Sequence, residues 1–274
     1  MPLTNMIAST NAPRTVESLR DDLTRLGVRP GDVLEVHCSL SAIGWVCGSA
    51  QAVVEALLAA VGPAGTIFMP AHCGINSDPA LWRDPPVPEH WHESIRRNTP
   101  AFEPGKTPTY GMGAVAELFR SWPGTLRSNH PYGSFCANGP LAECITAQHP
   151  LSPMWGMESP LGMLYELNAR ALLIGVGYSR CTALHLAEAQ IPNMPRMVYH
   201  AAMLENGART WKSYVDYDYG YFPFGAFGQT YEDAGGAATG KVGSADSSLC
   251  AIRPLVDFTL ACMKKHSETL GECP

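Results

Sequence analysis

Apolar and polar positions along the chain follow two periodicities, and the switches between them lay out the elements. Val16, Leu19, Leu23 and Leu26 recur three or four residues apart behind Thr15, a good N-cap, and Gly27 follows them; this predicts an amphipathic helix with a glycine stop. Residues 32–37, DVLEVH, alternate instead and predict a strand. Helical spacing returns at Val53, Val54, Leu57, Leu58 and Val61, and residues 65–70, GTIFMP, supply a second strand. Strand, helix and strand form a βαβ unit, so a parallel core is expected.

The pattern then breaks. Residues 71–108 are rich in proline, tryptophan, histidine and acids, with DPALW at 78–82 and EHWH at 89–92. So many breakers predict a long ordered excursion over one end of the sheet, of the kind that lines sites. Helical spacing resumes behind Gly111-Met-Gly113 at Val115, Leu118 and Phe119, and again over 140–148 and 161–167. Residues 171–174, ALLI, read as a short buried strand, and Gly175-Val-Gly177 permits a tight turn after it. Cys181 or Thr182 can cap the helix that follows, which puts His185 about one turn inside it. Open α/β sheets place their ligands there, outside the carboxyl ends of the strands. Residues 196–200 and 211–216 predict two strands joined through Leu204-Glu-Asn-Gly207, where Asn-Gly is a hairpin signal. Residues 220–246 read as loop, and a last helix starts near Pro254.

Charge narrows the partners. Lys plus Arg number 19 and Asp plus Glu 25, a formal net charge of −6, which weighs against nucleic acid and membrane surfaces and suits a cationic ligand. The first residues carry no basic stretch followed by an apolar one, and no apolar run reaches membrane-spanning length, so a cytoplasmic location is expected. Nine cysteines, Cys273 the last, include no Cys-x-x-Cys pair and read mostly as reduced, buried hydrophobes. His90-x-His92 beside Glu89 and Glu93 is a weak metal cluster, because side chains at that spacing point apart; no metal is expected.

Two loops of small residues can present N–H groups and hydroxyls to an anion at a helix start. One is Ser39, Leu40, Ser41, Ala42 and Gly44 behind the first strand; the other is Thr107, Thr109, Gly111, Met112 and Gly113, with Arg127 as a nearby cation. Neither loop has a Walker or Gly-x-Gly-x-x-Gly spacing, so chemistry alone leaves an ordinary βα loop open. Asp216 and Asp218 alternate at the end of the hairpin and so share one side of their strand. A lone helical histidine such as His185 is more often structural than catalytic.

Seven ordered blocks change that balance. Val36-His-Cys-Ser-Leu-Ser-Ala-Ile-Gly44, Val61-Gly-Pro-Ala-Gly-Thr66 with Met69-Pro70, Phe102-Glu-Pro with Thr107-Pro-Thr-Tyr-Gly-Met-Gly113, Arg127-Ser-Asn-His-Pro131, Ser159-Pro-Leu-Gly162, Leu173-Ile-Gly-Val-Gly177 and Thr182-Ala-Leu-His-Leu-Ala-Glu188 together resemble the aminoglycoside 3-N-acetyltransferase family. The resemblance runs from about residue 15 to about residue 265. It implies an N-terminal tail over 1–14 and a single domain over 15–268, with 71–108 and about 214–246 as site-lining excursions. The implied fold is α/β, a three-layer α/β/α-like domain around a central mixed, mainly parallel sheet, unrelated to the common small N-acetyltransferase fold.

The implied activity is acetyl transfer from acetyl-coenzyme A to the 3-amino group of a 2-deoxystreptamine ring, conferring antibiotic resistance, with a homodimer left open. His185 takes the family's general-base position. The carboxylate that orients it follows a Trp-Lys segment, so here Asp216 or Asp218 is expected, and Asp216 is preferred by motif position. A net negative enzyme would collect the acceptor's ammonium groups at Glu103, Asp216 and Asp218, with Asp78 and Glu89 as further candidates. Three alternatives stand beside this: a different amine as acceptor, a Cys181-dependent acyltransferase or hydrolase with Cys181 and His185 as i and i+4 neighbours, and a non-catalytic binding protein.

Overall fold

The computed structural model describes residues 3–8 and 10–270; Cys273 and residues 1, 2 and 9 of the expected tail lie outside them. In chain order the elements are α1 (Leu3–Ala8), α2 (Val16–Leu26), β1 (Val33–Cys38), α3 (Leu40–Ile43), α4 (Ser49–Val61), β2 (Thr66–Pro70), α5 (His92–Asn98), α6 (Ala114–Arg120), β3 (Leu126–Arg127) and β4 (Phe135–Asn138). They continue with α7 (Ala142–Thr146), α8 (Pro160–Glu166), β5 (Arg170–Ile174), α9 (His185–Glu188), β6 (Arg196–Glu205), β7 (Ala208–Tyr217), α10 (Phe224–Asp233), β8 (Ala237–Val242), β9 (Ala245–Ala251) and α11 (Ile252–Leu270). Thr15 caps α2 by accepting from the Ser18 N–H, and Gly27 ends it in the left-handed region at φ 109°. The stretch read as a tail is docked: the Arg14 N–H bonds the Trp45 carbonyl at 2.9 Å, and the Cys47 N–H bonds the Arg14 carbonyl at 2.8 Å.

Seven strands form one mixed sheet in the order β3-β4-β2-β1-β5-β9-β8. β1 runs parallel to β2 and β5, whereas β4 on one flank and β9 on the other are antiparallel to their neighbours. The expected βαβ unit is present as β1, α4 and β2, but parallel pairing is confined to the three central strands and four of the six pairings are antiparallel, so the sheet is mixed and not, as expected, mainly parallel. Ile67 and Met69 of β2 and Leu172 and Ile174 of β5 face α2, α4 and α6, while Phe68, Ala171 and Leu173 between them face α7, α8 and α11. Alternation thus buries both faces and makes three layers. β1 keeps Leu34 and Val36 on the first face but carries Glu35 and His37 on the second, where both are buried. Buried charge in a central strand marks the face to inspect.

β6 and β7 make a separate hairpin whose turn, Asn206-Gly207, has positive φ at both residues, as a tight two-residue hairpin loop requires. The excursion over 71–108 is tied to that hairpin by bridges from Ser77 to Ala201 and from Phe102 to Met203. Of the described cysteines, Cys73, Cys136, Cys181 and Cys250 are buried, while Cys47 and Cys144 are exposed. No helix among the described residues is long and apolar enough to cross a membrane.

Candidate active site

His185 opens α9, which follows β5 through two single 3-10 turns, Tyr178–Arg180 and Thr182–Leu184. The chain leaves β5 at Gly175, where a Cβ would stand 2.3 Å from the Ala42 Cβ, so the turn over α3 requires glycine. Nδ1 of His185 lies 2.7 Å from Oε2 of Glu188, one turn along the same helix. Glu188 is wholly buried, and its Oε1 accepts the N–H groups of Gly220 and Tyr221 at 2.8 and 2.9 Å. Those donors fix the carboxylate, and the carboxylate fixes the imidazole. The other ring nitrogen, Nε2, has no protein partner among the described residues.

Aromatic rings hold the imidazole on three sides. Trp155 stacks on it at 4.1 Å between centroids, and Tyr219 and Phe224 meet it edge-on at 5.5 and 4.9 Å. One cavity of about 540 Å³ reaches His185 past Ser39, Ser41, Gly111, Met112 and Arg180. A second cleft of about 510 Å³ is lined by Trp82, Asp84, Tyr110, Tyr132, Asp218 and Tyr219. Tyr219 lines that cleft and touches His185, which places the histidine between the two spaces.

The expected orienting role of Asp216 is corrected by this geometry. Asp216 is wholly buried, but it accepts from Ser152 Oγ (2.9 Å), Met154 N–H (2.8 Å) and Tyr217 N–H (2.8 Å), not from His185. Burial pushes its carboxyl up against those donors. It pins the 152–154 turn that carries Trp155, so it reaches His185 only through the stacked indole. Asp216 is also sealed from any ligand, while Asp218 lines the aromatic cleft with the Tyr221 hydroxyl 3.4 Å away. Glu188 was within reach of the sequence: it stands three residues beyond His185, the spacing at which helical side chains meet.

The other acids divide. Glu103 pairs with Lys106 at 2.8 Å and lines a different cavity with Phe102 and Leu204, away from His185. Asp78 is spent on Arg96 at 2.8 Å, on the Ala80 N–H and on His200 at 3.5 Å. Glu89 starts an exposed 3-10 turn and lines none of these spaces. None of these three is brought to the histidine. Asp84, which no sequence motif marks, lines the cleft instead.

Of the expected anion-binding residues, Ser39, Leu40, Ser41, Gly111, Met112 and Gly113 line the His185 cavity. Ala42 lies in the neighbouring groove beneath Gly175, and Gly44 packs against Thr10 and Ser244. Thr107 uses its hydroxyl to accept from the Glu103 N–H, and the Thr109 N–H bonds Glu117. Arg127 is half-buried: it donates to the carbonyls of Ala71 and Thr107 and to Ser134, lies over Phe102, and does not line the cavity. The cation in the wall is Arg180, an exposed side chain with no protein partner among the described residues. Cys181 also reaches this wall, but its thiol donates to Glu35 at 3.8 Å and not to His185. Burial, then Glu35, push that thiol well above its ordinary range, which removes the thiolate that a nucleophile needs. Among the described residues no group of three or more His, Cys, Asp or Glu side chains is placed to hold a metal ion.

A family profile described as aminoglycoside 3-N-acetyltransferase matches residues 36–264. The SPbeta prophage-derived aminoglycoside N(3')-acetyltransferase-like protein YokD of Bacillus subtilis (strain 168) is 43% identical over 254 residues, covering 92% of this chain and 93% of its own. Its crystal structure superposes with a TM-score of 0.92 over 95% of this chain and 97% of that one. AAC-IIIb, solved as a binary complex with CoASH, is 28% identical with a TM-score of 0.83, over 93% of this chain and 98% of that one. AAC-VIa bound to sisomicin is 31% identical with the same TM-score, over 93% and 99% of the two chains. Sequence and fold agree over nearly the whole length, and the chain belongs to the aminoglycoside 3-N-acetyltransferase family.

Proposed function

We propose that this enzyme transfers the acetyl group of acetyl-coenzyme A to the 3-amino group of the 2-deoxystreptamine ring of aminoglycoside antibiotics, and so confers resistance to them. The observation that carries the reading is the His185–Glu188 pair set between a hydroxyl-rich cavity and an aromatic cleft with two acids. Ser39, Ser41 and the exposed Arg180 suit the phosphates and amide arm of a coenzyme A thioester. Asp84 and Asp218 among tyrosine and tryptophan faces suit a polycation. That AAC-IIIb was solved with CoASH and AAC-VIa with sisomicin supports a coenzyme and an aminoglycoside as the two ligands.

An ammonium group has no lone pair with which to attack a thioester, so the reaction needs a base at the acceptor nitrogen. His185 Nε2 takes the proton that the nitrogen loses as its bond to the acetyl carbon forms. Glu188 on Nδ1 keeps the proton of the neutral ring there, leaves Nε2 as the acceptor, and stabilises the imidazolium that results. Collapse of the tetrahedral adduct expels the coenzyme thiolate, and no acyl-enzyme is formed. The test is thiol release from acetyl-coenzyme A over a panel of aminoglycosides, with NMR of the product to locate the new amide. Release dependent on a 2-deoxystreptamine compound and an amide at the 3-amino group are expected; no release with any member of the panel, or acetylation elsewhere, would overturn the reading.

A further inference from the structure

His37, next to last in β1, lines the same cavity as His185, and the chemistry above gives it no part. Its Nε2 accepts the Thr182 N–H at 3.2 Å and lies 3.2 Å from Oε1 of Glu35, a carboxylate wholly buried in the central strand. A nitrogen that accepts a hydrogen bond keeps its lone pair for it, so the neutral ring carries its N–H at Nδ1. A further proton shared with Glu35 would leave that N–H in place. Nδ1 has no protein partner among the described residues and is not sealed from solvent, so it opens on the cavity that His37 lines.

We propose that His37 is a second catalytic histidine, whose Nδ1–H donates to the thioester carbonyl oxygen and to the oxyanion that replaces it. The proposal rests on the acyl-transfer reading above. As the amine lone pair forms the C–N bond, the carbonyl π pair moves onto oxygen, where the Nδ1–H meets it. The returning pair expels the coenzyme thiolate, the nitrogen's proton leaves to His185, and His37 keeps its own proton throughout. A preorganised donor of this kind acts where charge develops and needs no change of charge itself.

Two substitutions separate this role from support of the Thr182 turn. His37→Asn places an amide N–H where Nδ1 stands and gives up the Thr182 contact; His37→Gln reaches the Nε2 position, keeps that contact and offers nothing at Nδ1. His37→Gln is expected to lose about 10²–10³-fold in kcat with coenzyme affinity unchanged, and His37→Asn to stay within about tenfold of the parent. The reverse order, or near-parental turnover of His37→Gln, overturns the proposal. Long-range ¹H–¹⁵N NMR on the unsubstituted enzyme reads the tautomer directly: a proton on Nδ1 is expected, and a bare Nδ1 overturns it even if both variants misfold. His185→Ala, assayed beside them, keeps the two levels apart. Full activity there sinks the acyl-transfer mechanism, while loss there with retention in His37→Gln sinks this inference alone.

Discussion

Oε2 of Glu188 lies 2.7 Å from Nδ1 of His185, and the two N–H groups on Oε1 leave that carboxylate no other orientation. Glu188→Gln keeps the shape but can turn a donor toward Nδ1 and select the wrong tautomer. A fall in kcat of roughly 10²–10⁴-fold is expected, with KM for both substrates nearly unchanged. Steady-state kinetics with a melting curve on the same sample checks it. A well-folded variant that turns over normally would remove Glu188 from the mechanism.

Asp216 is expected to behave differently, because it acts on the 152–154 turn and not on the imidazole. Asp216→Asn retains one acceptor oxygen where three donors converge, so it should cost about 1–3 kcal/mol of stability. Its kcat should fall less than that of Glu188→Gln. Urea unfolding beside kcat for the two variants compares them; a larger kcat loss with no stability change at Asp216 would restore it as the partner of His185.

Much of the scaffold is legible in the sequence because burial and spacing agree there. Thr15 and Gly27 bracket α2 by cap chemistry, and Asn206-Gly207 marks the hairpin turn by its φ requirement. The misses have physical causes. β8 is a mostly exposed edge strand, AATGKV, with no apolar alternation to reveal it. α10 carries Gly225 and Gly228 and so reads as loop, yet a Cβ at Gly228 would meet the Tyr178 ring at 2.1 Å, so close packing, not flexibility, explains that glycine. In the site, His185 is legible from its place behind β5, but the Trp-Lys segment points to a partner in a distant strand, whereas the i+3 residue of the same turn holds it. Arg127 and Arg180 show the limit of counting charges: sequence gives both as cations, and only the fold ties the first to carbonyls and leaves the second at the cavity.

Those two arginines are expected to separate coenzyme binding from folding. Arg180→Ala should raise KM for acetyl-coenzyme A about tenfold, the size of a lost charged hydrogen bond, with kcat and melting temperature near the parent. Arg127→Ala should lower the melting temperature, since it strands the Thr107 carbonyl and leaves that of Ala71 to Ser134 alone. Equal KM effects with no change in stability at either site would place the coenzyme elsewhere.

In the acceptor cleft, Asp218→Asn should raise KM for aminoglycosides by about five- to a hundredfold with kcat less affected, and Glu103→Gln should change neither. The parental KM should also rise with salt, since an exposed acid attracts an ammonium group through a screened field of about 8 Å at physiological ionic strength. An effect at Glu103 and none at Asp218 would move the acceptor to the other cavity.

Asp78 sets an acid limit on the fold. Burial raises its carboxyl, but the Arg96 pair, the Ala80 N–H and His200 outweigh that and hold it below its ordinary 3.8. The unfolded chain therefore binds this proton more readily. The stabilisation is present above the ordinary value and lost as pH falls through the lowered one. Asp78→Asn should be less stable than the parent at about pH 7 and show a smaller further loss down to about pH 3 by urea midpoints. Parallel curves for the two proteins would mean that the Arg96 contact contributes nothing.

The most direct measurement is a single turnover of His185→Ala with acetyl-coenzyme A and a 2-deoxystreptamine aminoglycoside, beside calorimetric binding of coenzyme A to the same protein. With His185 as the base, the acetyl-transfer rate should fall about 10²–10⁴-fold while coenzyme affinity is unchanged. A folded variant that transfers acetyl groups within about threefold of the parental rate would contradict the account at its centre.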